Sequence, residues 1–251
     1  MGAGVTIDST GVHLVGWISR PATGTLRPGL VLCHGFPLDA RASRPPGHTF
    51  TQLADQLAAD VGWTVLTFDF RGTGESGGAF SLGGWRADIG AAVDHLLATE
   101  AVTGAWLAGF STGAALAVCA TADDQRVRGV ASLGAPADFH DWVADPQRLL
   151  ERARSIGMGR APEPAADLAA WGRDLRELRA VAVIGRIPPR PILIVHGSDD
   201  DVVPVVDARA LADAAEGEVE LRVLAGAGHR LRDDPRAVAL LLGWLDRQGA
   251  A

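Results

Sequence analysis

A serine that attacks a carbonyl carbon needs a base to take its proton, a carboxylate to hold that base, and donors for the developing oxyanion. The 251-residue chain has a candidate for each role. Ser111 sits in Gly109-Phe110-Ser111-Thr112-Gly113, preceded by Ala105-Trp106-Leu107-Ala108 and followed by Ala114-Ala115-Leu116. The pattern reads as strand, sharp turn and helix, with the serine at the apex and its hydroxyl exposed. Gly109 and Gly113 let the two backbone arms pass where a Cβ would clash. The helix that follows aims its first free N–H groups and its positive dipole end at the reacting centre. His229, in Gly226-Ala227-Gly228-His229, is the candidate base. The acid must accept the imidazole N–H and hold the catalytic tautomer. Asp199, Asp200 and Asp201 all lie in the turn suited to that task.

Turns so distant in sequence meet only if each closes a strand on the same edge of one sheet. Residues 29–33, 63–68, 105–110, 127–133, 191–196 and 219–224 are short apolar runs, near-continuous at 63–68 as in a strand buried on both faces. Helical spacing appears between them. Phe50, Leu53, Leu57 and Val61 form one such face, closed by Gly62. Ile89, Val93, Leu96 and Leu97 form another, and residues 112–122 and 205–216 read as helices. A final helix over 234–247 runs through Val238, Leu241, Leu242 and Leu245. Residues 5–8 and 12–18 flank Ser9-Thr10-Gly11 and predict a hairpin of edge strands. Residues 20–28 and 39–47 read as loops. Alternating strands and helices imply a mostly parallel sheet covered on both faces. The carboxyl ends of its strands share one rim, which would gather Ser111, the aspartates and His229.

Residues 137–189 interrupt the alternation. Asp145-Pro146 resembles an N-cap with proline at the first helical position. Leu149, Leu150, Ala153 and Ile156 suit a short helix ended by Gly157, and residues 159–164 are breakers. Leu168, Trp171, Leu175 and Leu178 then repeat at helical spacing, with Pro188-Pro189 as the stop. The insert is expected to form a small helical cap, although its second helix fits equally well as a core helix. Phe139, His140, Trp142 and Trp171 are its candidates for lining an acyl pocket, with packing beneath the cap the competing reading.

The chain order serine, acid, histidine separates this arrangement from those of chymotrypsin and subtilisin. With it, the sequence resembles the α/β-hydrolase superfamily over nearly its whole length. The resemblance rests on the His34-Gly35-Phe36-Pro37 turn, the Asp69-Phe70-Arg71-Gly72-Thr73-Gly74-Glu75-Ser76 loop and the Ser111 turn. It continues in His196-Gly197-x-x-Asp200 before Val202-Val203-Pro204, and in the turn ending at His229. It implies one α/β-hydrolase domain over residues 1–251, with an eight-stranded, mostly parallel sheet, helices on both faces and the cap at 137–189. In the family pattern the acid stands four residues after the histidine, which selects Asp200. Some relatives place it after the preceding strand, here at Asp138. The resemblance also assigns the oxyanion donors to the N–H groups of Thr112 and Phe36; Pro37 has none to give. His34 and His196 become structural hydrogen-bonders in strand-end turns, and residues 69–76 a structural turn beside the serine.

The activity implied is that of a carboxylesterase-like serine hydrolase working through an acyl-enzyme on a small-molecule ester, with no cofactor. The same triad would serve a thioesterase, an amidase or a peptidase, although peptidase relatives often carry an extra domain for which this chain has no room. Ser111 argues against dehalogenase and epoxide-hydrolase chemistry, which the family runs from an aspartate at this turn. A non-catalytic binding protein on the same fold is the third reading. Composition narrows the field further. A net charge of -7 and a pI near 5.4 leave no basic footprint for nucleic acid. No apolar run approaches a membrane span, and the first nine residues carry no basic n-region. Cys33 and Cys119, in a strand and a helix, are expected to be buried free thiols, which suits the cytoplasm. There is no Tyr to serve as an oxyanion donor. The glycine-rich loop has neither a phosphate-loop lysine nor the third glycine of a dinucleotide site, and no metal-ligand spacing occurs. The sequence carries no signal for oligomeric state.

Overall fold

The structure, a computed structural model, describes residues 2–22, 26–36, 47–145, 147–149, 151 and 166–249. Its strands are β1 (Gly2–Ser9), β2 (Val12–Ser19), β3 (Arg27–Cys33), β4 (Thr64–Phe68), β5 (Val102–Phe110), β6 (Val127–Leu133), β7 (Ile192–Gly197) and β8 (Val219–Leu224). They form one sheet in the order β1-β2-β4-β3-β5-β6-β7-β8. β1 and β4 pair antiparallel with β2, and every pair from β4 to β8 is parallel.

Strand period two assigns alternate residues to opposite faces. Leu30 and Leu32 of β3, with Leu193 and Val195 of β7, enter one core. Val31 and Cys33, with Ile192 and Ile194, enter the other. The first core is closed by α1 (Gly47–Val61) and by the chain's last helix, through Phe50, Leu53, Leu57, Trp244 and Leu245. The second is closed by α2 (Leu82–Thr99) and α3 (Thr112–Asp123). Buried Ala114, Ala115, Ala117 and Ala120 let α3 lie close on the sheet. Its C-terminal end is held by Arg190, whose guanidinium donates to the carbonyls of Thr121, Asp124 and Val127 at 2.8–3.0 Å. A cation there complements both the orphan carbonyls and the negative end of the helix dipole.

Further helices among the described residues are α4 (His140–Ala144), α5 (Ala166–Glu177), α6 (Ala180–Val183), α7 (Val205–Ala214) and α8 (Pro235–Gly249), and residues 147–149 and 151 are also helical. Several expectations are corrected. Only β1 of the first hairpin is an edge strand, because β4 pairs with the far side of β2. β3 begins at Arg27 within the expected loop, and Gly47 already belongs to α1. The helix through Trp171 and Leu175 stops at Glu177, well before Pro188; α6 and a 3-10 turn (Ile184–Arg186) occupy the interval. Trp171, Leu175, Leu178, Ala180 and Ile184 all sit in the second core, which favours the core placement for this part of the insert. Leu150, Ala153, Ile156, Gly157 and residues 159–164 lie outside the described residues, as does Pro37.

The loop at 69–76 is a structural turn. Arg71 donates from Nε and Nη2 to Asp88 on α2 at 2.9 and 2.6 Å, and its backbone N–H donates to the same carboxylate. Nη2 also reaches Ser9 Oγ of β1. Asp88 is fully buried and the Arg71 side chain is 14% exposed. Both cysteines are buried and free; burial pushes the Cys33 thiol far above the ordinary range and Cys119 up to about 12. Among the described residues no helix is long and apolar enough to cross a membrane.

Removing one partner of a buried ion pair leaves an uncompensated charge. Asp88→Ala is therefore expected to lower the unfolding free energy by about 3–5 kcal/mol in urea titrations, and Asp88→Ala with Arg71→Met to recover part of it. A loss below about 1 kcal/mol would show that Arg71 finds water instead.

Candidate active site

β5 and α3 meet at Ser111, whose backbone adopts φ 52° and ψ −125°. The crossing is tight. A Cβ at Gly109 would stand 2.5 Å from the Gly113 carbonyl oxygen, and one at Gly113 would run into the carbonyl of His34. Ser111 N–H donates to Leu133 O of β6, and its carbonyl accepts from Ala114 and Ala115. The Ser111 side chain is thus carried on a turn fixed by three strands.

Its hydroxyl meets His229. His229 Nε2 lies 2.9 Å from Ser111 Oγ, across 118 positions of sequence. His229 Nδ1 lies 2.8 Å and 3.1 Å from the two carboxylate oxygens of Asp200. Of the three aspartates, Asp200 is the one brought to the His229 ring. The Asp199 carboxylate accepts from Ser198 Oγ at 2.6 Å and is exposed, and Asp201 is exposed. Asp138 engages His140 and Arg179 instead. An ionised Asp200 makes Nδ1 the protonated nitrogen, which turns the Nε2 lone pair to the serine hydroxyl.

Burial works to raise the Asp200 carboxyl. The His229 hydrogen bond, the Val203 N–H, the His229 charge and the Val202 N–H outweigh it, so the group titrates below the ordinary carboxylate range. Oδ1 accepts from Val202 N at 2.9 Å and Val203 N at 2.8 Å. His196, expected as a structural hydrogen-bonder, braces the same turn. His196 Nε2 lies 3.4 Å from Asp200 Oδ2 and donates to Val203 O at 2.9 Å, with the ring fully buried and Nδ1 unpartnered.

Thr112 opens α3, so its N–H belongs to the first turn, where N–H groups have no acceptor within the helix. Phe36 follows β3, its side chain buried against Phe80, Trp85 and Trp142 at centroid distances of 5.5–6.4 Å. The turn that carries it is tied down by His34. Nδ1–H donates to Gly35 O at 2.8 Å, and Nε2 accepts from Phe70 N–H at 3.2 Å. Of the other candidates, Phe139 is buried and stacks on half-buried Trp142, while Trp171 is buried against Phe80. The His140 side chain is 82% exposed and faces Asp138, so the structure does not gather it with the aromatic group. An open groove of about 740 Å³ borders the His229 turn between Val202, Gly228, Asp233 and Arg236.

The sheet order, the strained serine turn and the serine–histidine–aspartate contact define the α/β-hydrolase class. The family described as the alpha/beta hydrolase fold matches residues 28–154, about half of the chain, and the protein belongs to that family. Among curated proteins it is 28% identical over 227 residues to the uncharacterized protein Rv2307c of Mycobacterium tuberculosis (strain ATCC 25618 / H37Rv), covering 87% of this chain and 69% of that one. Among solved structures, Est1E from Butyrivibrio proteoclasticus with ferulic acid bound superposes with a TM-score of 0.72 at 20% identity, over 97% of each chain. The Pyrococcus furiosus esterase Pf2001 gives a TM-score of 0.72 at 19% identity, over 99% of this chain and 90% of that one. Identities this low establish the shared fold.

His34 gives a stability prediction. Burial, reinforced by Arg232, lowers its pKa against the opposing Asp69 charge and Gly35 carbonyl. The unfolded chain therefore takes up a proton near pH ~6.5 that the native ring refuses, and native stability falls with acidification from there to the lower native pKa. Burial raises the Asp69 carboxyl despite His34, so at lower pH that group acts in the opposite sense. Urea unfolding between neutral and mildly acid pH should show the His34 slope, at most about 1.4 kcal/mol per unit, and His34→Gln should remove that component. An identical slope in the variant would assign the acid sensitivity to other groups.

Proposed function

We propose that this protein is a serine hydrolase that cleaves carboxylic esters through an acyl-enzyme on Ser111. The family supports hydrolase chemistry in general. The serine-nucleophile reading rests on one observation, the unbroken chain of contacts from Ser111 Oγ through His229 to Asp200 at 2.9 and 2.8 Å, which an ester, thioester or amide would all use. The esterase neighbours lean toward the ester.

In this mechanism Ser111 Oγ attacks the ester carbonyl as His229 Nε2 takes its proton. The new oxyanion is held by the N–H groups of Thr112 and Phe36, donors preorganised before charge develops. His229 passes the proton to the departing alcohol. Water, deprotonated by the same nitrogen, then releases the acid and restores the serine. Asp200 holds the imidazole in one tautomer and offsets its positive charge, and its downward-shifted pKa keeps it ionised for the task. The described part of 137–189 supplies the acyl wall: Trp142 touches the Phe36 ring and is stacked on Phe139, while Trp171 packs on Phe80, itself against Phe36. A cytoplasmic setting belongs to the same reading, in keeping with two buried free thiols.

p-Nitrophenyl acetate and butyrate should be hydrolysed, and Ser111→Ala should reduce kcat at least about 10³-fold without unfolding the chain. A fluorophosphonate should label native Ser111. Turnover untouched by Ser111→Ala, or no labelling of the folded protein, would reject the mechanism. Acyl-CoA and aminoacyl-arylamide substrates run alongside should be poorer than the esters.

The acyl wall is tested separately. Trp142→Ala should shift the ratio of kcat/KM for butyrate over acetate by about tenfold, the size expected when a packed apolar contact to the acyl chain is removed. An unchanged ratio would place the acyl group elsewhere.

A further inference from the structure

The sheet ends at β8, and among the described residues no strand pairs with its outer edge. Open edges are commonly blunted by Pro, charged side chains or a bulge. β8 reads Val219-Glu220-Leu221-Arg222-Val223-Leu224, without Pro and with two charges of opposite sign, and its register with β7 runs unbroken from Ile192↔Val219 to Gly197↔Leu224. Ser198 N–H donates to Leu224 O, which sets the phase of the strand. The backbone groups of Glu220, Arg222 and Leu224 face β7, and those of Val219, Leu221 and Val223 face outward.

We propose that β8 pairs antiparallel with β8 of a second copy of this chain, about a two-fold axis through Leu221. Such an interface is isologous, so the strand must complement itself. Centred on Leu221, it does. Leu221 opposes the second copy's Leu221, and Val219 opposes its Val223. All of these residues have outward-facing backbone groups, so each opposed pair exchanges two hydrogen bonds. Glu220 opposes the second copy's Arg222 at the non-hydrogen-bonded positions, where side chains come closest.

Charge selects this register over its neighbours. A centre on residue 220 sets Glu220 against Glu220, and a centre on residue 222 sets Arg222 against Arg222; like charges directly opposite destabilise a pair. Registers offset by a single residue oppose outward backbone groups to inward ones and form no ladder. In the single chain Glu220 is already held by Arg247 at 2.7 Å. Arg222 is half exposed, resting on Glu220 at 3.1 Å and on the outward Leu221 carbonyl at 3.1 Å. Pairing frees that carbonyl for the ladder, turns Arg222 onto the second copy's Glu220, and covers Val223, which is 41% exposed in the single chain.

Sedimentation equilibrium on the full chain tests this. The wild type should weigh twice the 26.1 kDa chain mass at micromolar concentration and above. Arg222→Glu and Glu220→Arg should each be monomeric, because each opposes like charges. An equimolar mixture of the two should return to the doubled mass, since their strands complement each other. Val223→Pro deletes an outward N–H that β7 does not use, and should give a folded monomer by circular dichroism. A wild type at single-chain mass throughout overturns the proposal. So does a dimer that survives both charge variants or Val223→Pro, or a mixture that stays monomeric.

Discussion

The site depends on a close crossing of backbones. Ser111 is a non-glycine residue held at φ 52°, a conformation that costs on the order of 1–3 kcal/mol and persists only where its surroundings determine it. Those surroundings are specific. Gly109 and Gly113 remove the side chains that would part β5 from α3 and from the His34 turn. Gly35 does the same on the far side, where a Cβ would stand 2.8 Å from Ser111 Cβ. β6 anchors the apex through Leu133 O, and Arg190 anchors the far end of α3. The same turn presents the Ser111 hydroxyl to His229 and opens α3 at Thr112. The serine and the first N–H groups of the helix are therefore positioned by one backbone event.

A second balance operates at Asp200. A fully buried carboxylate is unfavourable unless donors replace its water. Here two backbone N–H groups and the His229 ring take that place, and the ion is favoured despite burial. The donors come from Val202 and Val203, whose own segment is held by His196 through Val203 O. The orientation of the acid is thus inherited from a turn closed by a histidine four residues earlier. Asp199 and Asp201, one step away in sequence, are aimed into solvent by the same turn.

The legible part of the sequence was the part governed by local pattern. β6 and β8 fall where their apolar runs begin and end, and α3 starts at the residue after the serine because the glycines leave no other geometry. The parallel order and the meeting of Ser111 with His229 followed from strand–helix alternation and the shared rim. What was not legible depends on pairings that no local pattern carries. The interior position of β2 is decided by β4, almost 50 residues later. The end of the α5 helix at Glu177 is set by the turn that sends Ala180 and Ile184 into the core beside α3, whereas propensity alone would extend it. Arg71 and Arg190 each close a hydrogen-bonded network through partners far along the chain, which no local pattern announces.

These contacts also divide the relay into a local half and a long-range half. The turns bearing Asp200 and His229 are stitched together directly: Asp199 N–H donates to Ala227 O, Gly226 N–H to Ser198 Oγ and Ser198 N–H to Leu224 O. The His229–Asp200 pair therefore moves as one body at the β7–β8 end of the sheet. Its alignment with Ser111 is carried through β6 and the two parallel pairings that separate β5 from β7. A disturbance in that middle region opens the Ser111–His229 contact while leaving the imidazole tautomer intact. A disturbance in the 198–203 turn reaches both contacts, because Ser198 and Asp199 also hold the turn that carries His229. The two halves are thus unequal: one contact spans the sheet, and the other is local to its β7–β8 end.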